Sequence, residues 1–189
     1  MGGGAADPCP GPTNISLAAG ATGEVFCALQ IGLTSARAAS QLPPEVSAIF
    51  SWNNTGQLFN FWFKGFPNSF QTLATINPGS YYFFQATGGG SLPNTGGGTT
   101  LAAAGAASIG PTTAGANGAV WSGGPHDLNA LAGYLEISLV TAIFSWNNGT
   151  QQFNFWFKGF PNTFQTLTNG IARGKYYFFQ APGGVSILM

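Results

Sequence analysis

Aromatic residues are concentrated in two stretches of the first half of the chain. Phenylalanine occupies every second position of Phe59–Phe63, and Tyr81–Ala86 carries an aromatic ring at four of its six positions. A period of two with aromatic residues is typical of β-strands. Asn53–Gly56 lies between the runs Ala48–Trp52 and Gln57–Lys64, and its Asn and Gly residues tolerate the positive φ angles of a tight turn. The pattern predicts a β-hairpin followed by a further aromatic strand.

Two segments of the first half return in the second half, with one inserted residue between them. Over the aligned region, 33 of 44 positions are identical. Identity this high indicates a duplication, and each repeated unit is long enough to be a small domain rather than one element of a solenoid. The matched segments are Val46–Leu73 with Val140–Leu167, and Gly79–Ala86 with Gly174–Ala181.

Each copy predicts strands, one short helix and further strands. Thr34–Gln41 and Asp127–Ala132 have helix-favouring sequences behind a capping residue. Val185–Met189 predicts a closing strand, with Thr99–Ala103 as its counterpart in the first copy. We therefore expect a mainly β fold of two tandem homologous small domains, of β-sandwich or barrel-like form, each with one short helix. The predicted parts are a Gly/Pro-rich arm (1–12), a first domain (13–104) with a Gly-rich loop at 87–98, and a second domain (105–189).

An aromatic hairpin that ends in Gly and Pro, followed by a Gly-x-aromatic-aromatic strand, occurs in both copies. Val46–Pro67 and Gly79–Phe83 carry this pattern in the first copy, and Val140–Pro161 and Gly174–Phe178 carry it in the second. The order of these motifs resembles that of a tandem β-rich repeat domain of secreted and cell-surface proteins of bacteria and archaea. The resemblance implies a β-rich fold and an extracellular or cell-surface location, and it brings no catalytic signature.

Charged residues are rare in this sequence, with 5 Lys+Arg and 5 Asp+Glu among 189 residues and a net charge of zero. Average proteins carry about one charge in four residues. Because no basic cluster is present, we expect no binding to nucleic acid. No window of about 20 mainly apolar residues occurs, so we expect no membrane span. Its 17 Phe, 5 Trp and 5 Tyr argue against disorder, because such side chains favour burial.

The titratable residues form no recognisable catalytic or metal-binding set. His126 and Asp127 are adjacent, but they precede a predicted helix, where Asp is a common cap. The first copy has Leu33 and Thr34 near the matching place, whereas a duplicated active site would leave its residues in both copies. One His, two Cys and five scattered acids provide no zinc or calcium spacing. We predict a non-enzymatic protein without metal or cofactor, and an enzyme that uses His126 and Asp127 is the weakest hypothesis.

Several residues are candidates for modification. Cys9 and Cys27 either form a disulfide or remain two independent thiols. Asn14, Asn53 and Asn148 head Asn-x-Ser/Thr sequences and are candidate glycosylation sites. The first residues lack the basic and apolar regions of a signal peptide, so we expect a chain that is either not secreted or already processed.

Aromatic rings are the remaining candidates for a functional surface. Flat rings beside amides bind sugars in many proteins, and packing is the alternative for each ring. A chain with almost no charge also lacks the repulsion that keeps proteins apart, and tandem copies present repeated surfaces. We expect a structural subunit of an extracellular filament or surface assembly, self-associating as a homo-polymer and also using its N-terminal arm. The alternative is a carbohydrate-binding module with glycans as partners. The candidate rings are Trp52, Trp62, Tyr81, Trp146, Trp156 and Tyr176.

Overall fold

The structure is a computed structural model that describes residues 7–9, 12–35, 40–95, 100–101, 108–109, 112–127 and 139–188. The protein is mainly β, with several antiparallel sheets, and the helical segments within the described ranges are the 3-10 turns Asn68–Phe70 and Asn162–Phe164. The helices predicted over Thr34–Gln41 and Asp127–Ala132 fall mostly outside the described residues, as does the predicted boundary at residue 104. Within the described ranges, no helix has the length and apolar character needed to cross a membrane.

The chain divides into two compact units. Pro8–Asn53 and Leu58–Thr100 form the first unit. Asn54–Gln57 belongs by its contacts to the second unit, together with Asp7 and the described residues of Leu101–Met189. The turn therefore belongs to the second unit, whereas the two strands that it connects belong to the first.

The first unit is built around a four-stranded antiparallel sheet in the order β3-β8-β5-β6, beside the two-stranded sheets β2-β9 and β4-β7. The short strands β1 (Asp7–Pro8) and β10 (Thr100–Leu101), whose residues are divided between the two units, also pair. The remaining strands are β2 (Asn14–Leu17), β3 (Gly20–Val25), β4 (Ile31–Gly32), β5 (Val46–Asn53), β6 (Leu58–Phe63), β7 (Thr75–Ile76), β8 (Tyr81–Ala86) and β9 (Gly90–Pro93).

The second unit repeats this arrangement. Its four-stranded sheet has the order β12-β15-β13-β14, and β11 pairs with β16 as β2 pairs with β9. The register also repeats, because Gly115 lies opposite Ala181 just as Gly20 lies opposite Ala86. The strands are β11 (Ser108–Ile109), β12 (Gly115–Val120), β13 (Ala142–Asn147), β14 (Gln152–Phe157), β15 (Tyr176–Ala181) and β16 (Ile187–Leu188).

The predicted hairpin is confirmed, and its alternation separates a core face from an outer face. β5 and β6 pair antiparallel from Ala48 opposite Phe63 to Asn53 opposite Leu58. Trp62 points into the core with Ile49 and Phe84, and its indole Nε1 donates to the Leu33 carbonyl at 3.2 Å. Successive side chains of a strand alternate between the two faces of the sheet. The neighbouring phenylalanines of β6 therefore lie on the opposite face.

The counterpart of the closing strand in the first unit is Gly90–Pro93, which pairs with β2, whereas Thr100–Leu101, the described part of the predicted strand Thr99–Ala103, pairs with β1. Leu92 pairs with Ile15 and Ile187 pairs with Ile109, and all three residues Ile15, Leu92 and Ile187 are fully or almost fully buried. Part of the stretch predicted to be a loop at 87–98 is therefore a strand. The glycines and proline around this strand are typical of a loop, but its one leucine is buried, and this burial determines the pairing with β2.

Candidate functional site

The most exposed rings of the described chain lie on two equivalent loops, Lys64–Gln71 and Lys158–Gln165, which we call the phenylalanine loops. In the first loop Phe66 and Phe70 have exposed fractions of 61% and 67%, and in the second loop Phe160 and Phe164 have 62% and 69%. An aromatic side chain normally lies in a core, so four rings exposed to this degree on two repeated loops mark a candidate contact surface.

A glutamine side chain holds each phenylalanine loop in place. Gln71 Oε1 accepts a hydrogen bond from Phe63 N at 2.8 Å, and its Nε2 donates to the carbonyls of Phe63 and Phe66 at 2.8 and 3.2 Å. Gln165 makes the same three hydrogen bonds to Phe157 and Phe160, at 2.8, 2.9 and 3.1 Å. The exposed rings therefore stand on a loop whose backbone is fixed by side-chain hydrogen bonds.

The backbone of both phenylalanine loops is also the same. Gly65 and Gly159 have φ angles of 82° and 84°, a left-handed conformation that favours glycine. Pro67 and Pro161 share φ −58° and ψ 140° before their 3-10 turns. Because the two loops repeat each other in these details, the exposure of their rings is a property of the repeated sequence.

Behind each loop, the outer face of the sheet carries a layer of aromatic rings that contact one another. In the first unit the centroids of Trp52 and Phe59 are 5.0 Å apart, and those of Phe59 and Phe83 are 5.8 Å apart. Tyr81 contacts Phe83 at 5.2 Å, and Phe63 contacts Phe66 of the loop at 5.6 Å. The first three pairs are edge-to-face, a geometry that is favourable for aromatic rings at these distances, whereas the rings of Phe63 and Phe66 are tilted by 45°.

The same layer recurs in the second unit. Trp146 contacts Phe153 at 5.1 Å, and Tyr176 contacts Phe178 at 5.1 Å. Burial raises the pKa of the Tyr176 hydroxyl above its ordinary value, because an apolar environment disfavours the phenolate. The surroundings of this hydroxyl are therefore apolar.

The structure corrects the predicted set of surface rings at two positions. Trp62 and Trp156 have exposed fractions of only 4% and 3% and belong to the hydrophobic cores of their units. They occupy the inward positions of β6 and β14, so neither is available to a sugar or to another subunit. Trp52, Tyr81, Trp146 and Tyr176 are half-buried members of the outer layers.

A second candidate contact, which the sequence reasoning missed, involves the turn Asn54–Gln57 of the second unit. Gln57 Oε1 accepts from Ala116 N at 2.9 Å, and Gln57 Nε2 donates to Ala116 O at 2.8 Å. Asn54 Oδ1 accepts from Gly118 N at 2.7 Å, and Asn54 Nδ2 donates to Gly118 O at 3.1 Å. We call this set of four hydrogen bonds the amide clamp.

The amide clamp reproduces the hydrogen bonds that a further strand would make. A carboxamide carries one acceptor oxygen and two N–H donors, so it matches the N–H and C=O that one residue of a strand presents at the sheet edge. Ala116 and Gly118 are two residues apart on β12, which is the end strand of its sheet, and in a strand this spacing brings both to the same edge. Gly115, with φ 121°, leaves the space for the clamp, since a Cβ there would lie 2.3 Å from Gln57 Oε1.

The remaining predicted site residues are dispersed. Cys9 and Cys27 form a disulfide with Cα atoms 5.8 Å apart. Asn14 is exposed at the start of β2, whereas Asn53 and Asn148 are half-buried at the two hairpin turns. Glycosylation of these three asparagines stays a prediction.

His126 and Asp127 lie apart from any catalytic arrangement that we can recognise among the described residues. The backbone of His126 exchanges two hydrogen bonds with Ile171, and its ring contacts Trp121 at 6.1 Å between centroids. Asp127 is exposed. Residues 7–9, 12–35, 40–95, 100–101, 108–109, 112–127 and 139–188 contain no group of three or more His, Cys, Asp or Glu side chains that could hold a metal ion.

Retention between the two copies is the signal that could have identified the missed amides. Gln57 and Gln71 recur as Gln151 and Gln165, whereas Leu58, the neighbour of Gln57, is replaced by Gln152. An amide kept through divergence is more informative than the amide content of the sequence alone.

Comparisons with protein-family models, curated protein sequences and solved structures give no match.

Proposed function

We propose that the protein is a structural, non-enzymatic subunit of an extracellular filament or surface assembly, and that it binds copies of itself through the phenylalanine loops and through amide contacts. The observation that carries this proposal is the repeated exposure of two phenylalanines on each loop. Two tandem homologous domains give one chain two such loops, and a subunit with more than one contact site can extend an assembly.

The energetics favour association through these rings. Complete burial of a phenylalanine side chain stabilises by about 1.5–3 kcal/mol. The four rings are already partly buried, and burial of their remaining surface at an interface still contributes several kcal/mol in total. Gln71 and Gln165 already fix the loops, and less conformational entropy is therefore lost when a partner binds. Rigid aromatic side chains are the usual dominant contributors to protein interfaces.

The Cys9–Cys27 disulfide supports the extracellular location, because disulfides persist mainly in oxidising environments. Part of the predicted N-terminal arm is attached to other segments of the same chain. Asp7–Pro8 pairs with Thr100–Leu101, and Cys9 is bonded to Cys27. Contacts of the arm with other subunits are therefore proposed only for residues ahead of this anchor.

The test compares the wild-type chain with a Phe66→Ser/Phe160→Ser double variant. Sedimentation velocity over a concentration series and negative-stain electron microscopy measure the size and form of the assemblies. We expect concentration-dependent wild-type assemblies, and association at least tenfold weaker in the double variant because two rings are lost.

Leu29→Ser provides the matched control, because Leu29 is 70% exposed and lies outside the phenylalanine loops. This control is expected to assemble as the wild type does. A wild-type chain that stays monomeric at all concentrations would contradict the proposal. Equal loss of assembly in Leu29→Ser would show that general surface hydrophobicity, rather than the loops, drives association.

The carbohydrate-binding alternative loses two of its six candidate rings, since Trp62 and Trp156 are buried. A glycan array probed with the wild-type chain tests whether the four remaining rings bind sugar. Binding that is abolished by Trp52→Ala or Trp146→Ala, from a chain that does not assemble, would favour this alternative.

A further inference from the structure

The two-stranded sheet β2-β9 has an outer edge on β2. Asn94 N donates to the Thr13 carbonyl at 2.9 Å, and the register of β2 and β9, continued by one residue, places Asn94 opposite Thr13. Hydrogen-bonded and non-hydrogen-bonded pairs alternate along an antiparallel ladder. Ile15 therefore exchanges hydrogen bonds with Leu92, and the backbone groups of the residues on either side of Ile15 point away from β9.

The residues that point to this outer edge are Asn14 and Ser16. Within the described part of the chain, β2 pairs with β9 alone, and both residues are exposed. Ile15 and Leu17 alternate with them and are buried, so the core holds the strand in place. The outer edge of β2 thus presents the N–H and C=O groups of two residues at the spacing of a β-ladder.

Other edges of the first unit are covered or blocked. On the outer edge of β6, Thr72 binds the backbone of Phe61 and Gln71 binds that of Phe63. On the outer edge of β9, Pro93 has no N–H to donate. Proline and charged side chains are common protections of a sheet edge, and β2 contains neither. The sequence of β2 therefore permits pairing with another strand.

We propose that β2 of one molecule pairs antiparallel with β2 of a second copy of the chain, with Asn14 of each strand opposite Ser16 of the other. In this arrangement every outward N–H of one strand meets an outward C=O of the other, and Ile15 lies at the two-fold axis. Two identical strands pair here without like charges opposite each other, because β2 carries no charge.

This proposal rests on the proposed assembly function and adds a second contact surface to the phenylalanine loops. The contact is isologous, since the same edge is used on both molecules, so by itself it joins two molecules and stops. A subunit that also binds through its phenylalanine loops can extend such pairs into a larger assembly. The outer edge of β2 would thus determine how the subunits are paired within the assembly.

Ser16→Pro tests the contact, and Ser91→Pro is its matched control. Ser91 lies opposite Ser16, is exposed, and points its N–H to the outer edge of β9. Proline is tolerated on edge strands where the N–H faces away from the ladder, so both variants keep the β2-β9 pairing. Protein from a host without N-glycosylation is used, because a glycan on Asn14 would lie beside the edge.

Sedimentation velocity over a concentration series is expected to show at least tenfold weaker self-association for Ser16→Pro, and wild-type behaviour for Ser91→Pro. If the wild type assembles and the two proline variants associate equally, the edge contact is wrong while the assembly function stands. If the wild type does not assemble, both proposals are wrong. Thermal unfolding of each variant checks that a loss of assembly is not a loss of fold.

A charge-exchange experiment identifies the occupant of the edge. Asn14→Lys/Ser16→Lys and Asn14→Asp/Ser16→Asp chains place like charges opposite each other when each pairs with itself, and opposite charges when they are mixed. Each chain alone is expected to associate at least tenfold more weakly than the wild type, and the mixture should recover, less so at high salt. A mixture that stays as weak as its components would show that something other than a second β2 binds the edge, and would overturn the proposal. This comparison remains decisive if Ser16→Pro does not fold.

Discussion

Carboxamide side chains in this protein bind backbone groups that would otherwise need another strand or water. Gln71 covers the N–H and C=O of Phe63, and Gln57 covers those of Ala116. Asn94 is buried and does the same in the interior, where its Oδ1 accepts from Cys27 N and its Nδ2 donates to the carbonyls of Pro12 and Val25. Uncharged amides thus perform the pairing that a sheet edge or a buried loop requires.

Replacement of Gln165 by alanine is expected to lower the free energy of unfolding by about 1–3 kcal/mol. Gln165 is buried, and its removal leaves the N–H and C=O of Phe157 and the carbonyl of Phe160 without their partner. Urea unfolding measures the change. Gln152→Ala, at an exposed position, should change stability by less than about 0.5 kcal/mol. Equal effects of the two substitutions would show that Gln165 contributes no more than an ordinary surface amide.

Among the elements, hairpins were predictable from sequence and the edge contacts were not. Alternating aromatics specify β5 and β6 because a period of two is a local signal, whereas the positive φ of the turn falls on Gln57 and not on the Asn and Gly residues that were expected to carry it. The strand Gly90–Pro93 was missed because its pairing depends on the burial of Leu92 against distant residues. The amide roles were missed because a glutamine that binds a backbone edge has the same local sequence as one that faces water.

The Cys9–Cys27 disulfide fixes the N-terminal segment beside the end of β3, where Cys27 N also binds Asn94. A cross-link that closes a loop of this length stabilises by about 3 kcal/mol through the entropy of the unfolded chain. The Cys9→Ser/Cys27→Ser variant is therefore expected to unfold at a clearly lower urea concentration than the wild type. Addition of a reductant should lower the wild-type midpoint and leave the midpoint of the variant unchanged. An unchanged midpoint in the variant would show that the bond adds no stability.

The whole molecule combines a nearly uncharged sequence with apolar rings and amides at its candidate contacts. The 17 Phe outnumber all ten charged residues, and the four most exposed phenylalanines lie on loops that are repeated with the duplication. Neither aromatic rings nor amide-to-backbone hydrogen bonds depend strongly on ionic strength, whereas ion pairs between exposed groups are screened by salt. The composition therefore determines how assembly should respond to its solvent.

Assembly is expected to change by less than about threefold between about 0.05 and 1 M NaCl, since few charges are available to be screened. Sodium sulfate should strengthen it, because excluded salts favour the burial of apolar surface. Sedimentation velocity across both salt series measures the association constant, with the Phe66→Ser/Phe160→Ser variant as the control in which the sulfate effect is reduced. A steep fall with NaCl would show instead that the few charged side chains, such as Lys64 and Lys158 at the start of the phenylalanine loops, make the contacts. Those lysines are retained in both copies, so the Lys64→Gln/Lys158→Gln variant distinguishes the two explanations. If this variant associates as strongly as the wild type, the association comes from the rings and amides and not from the lysines.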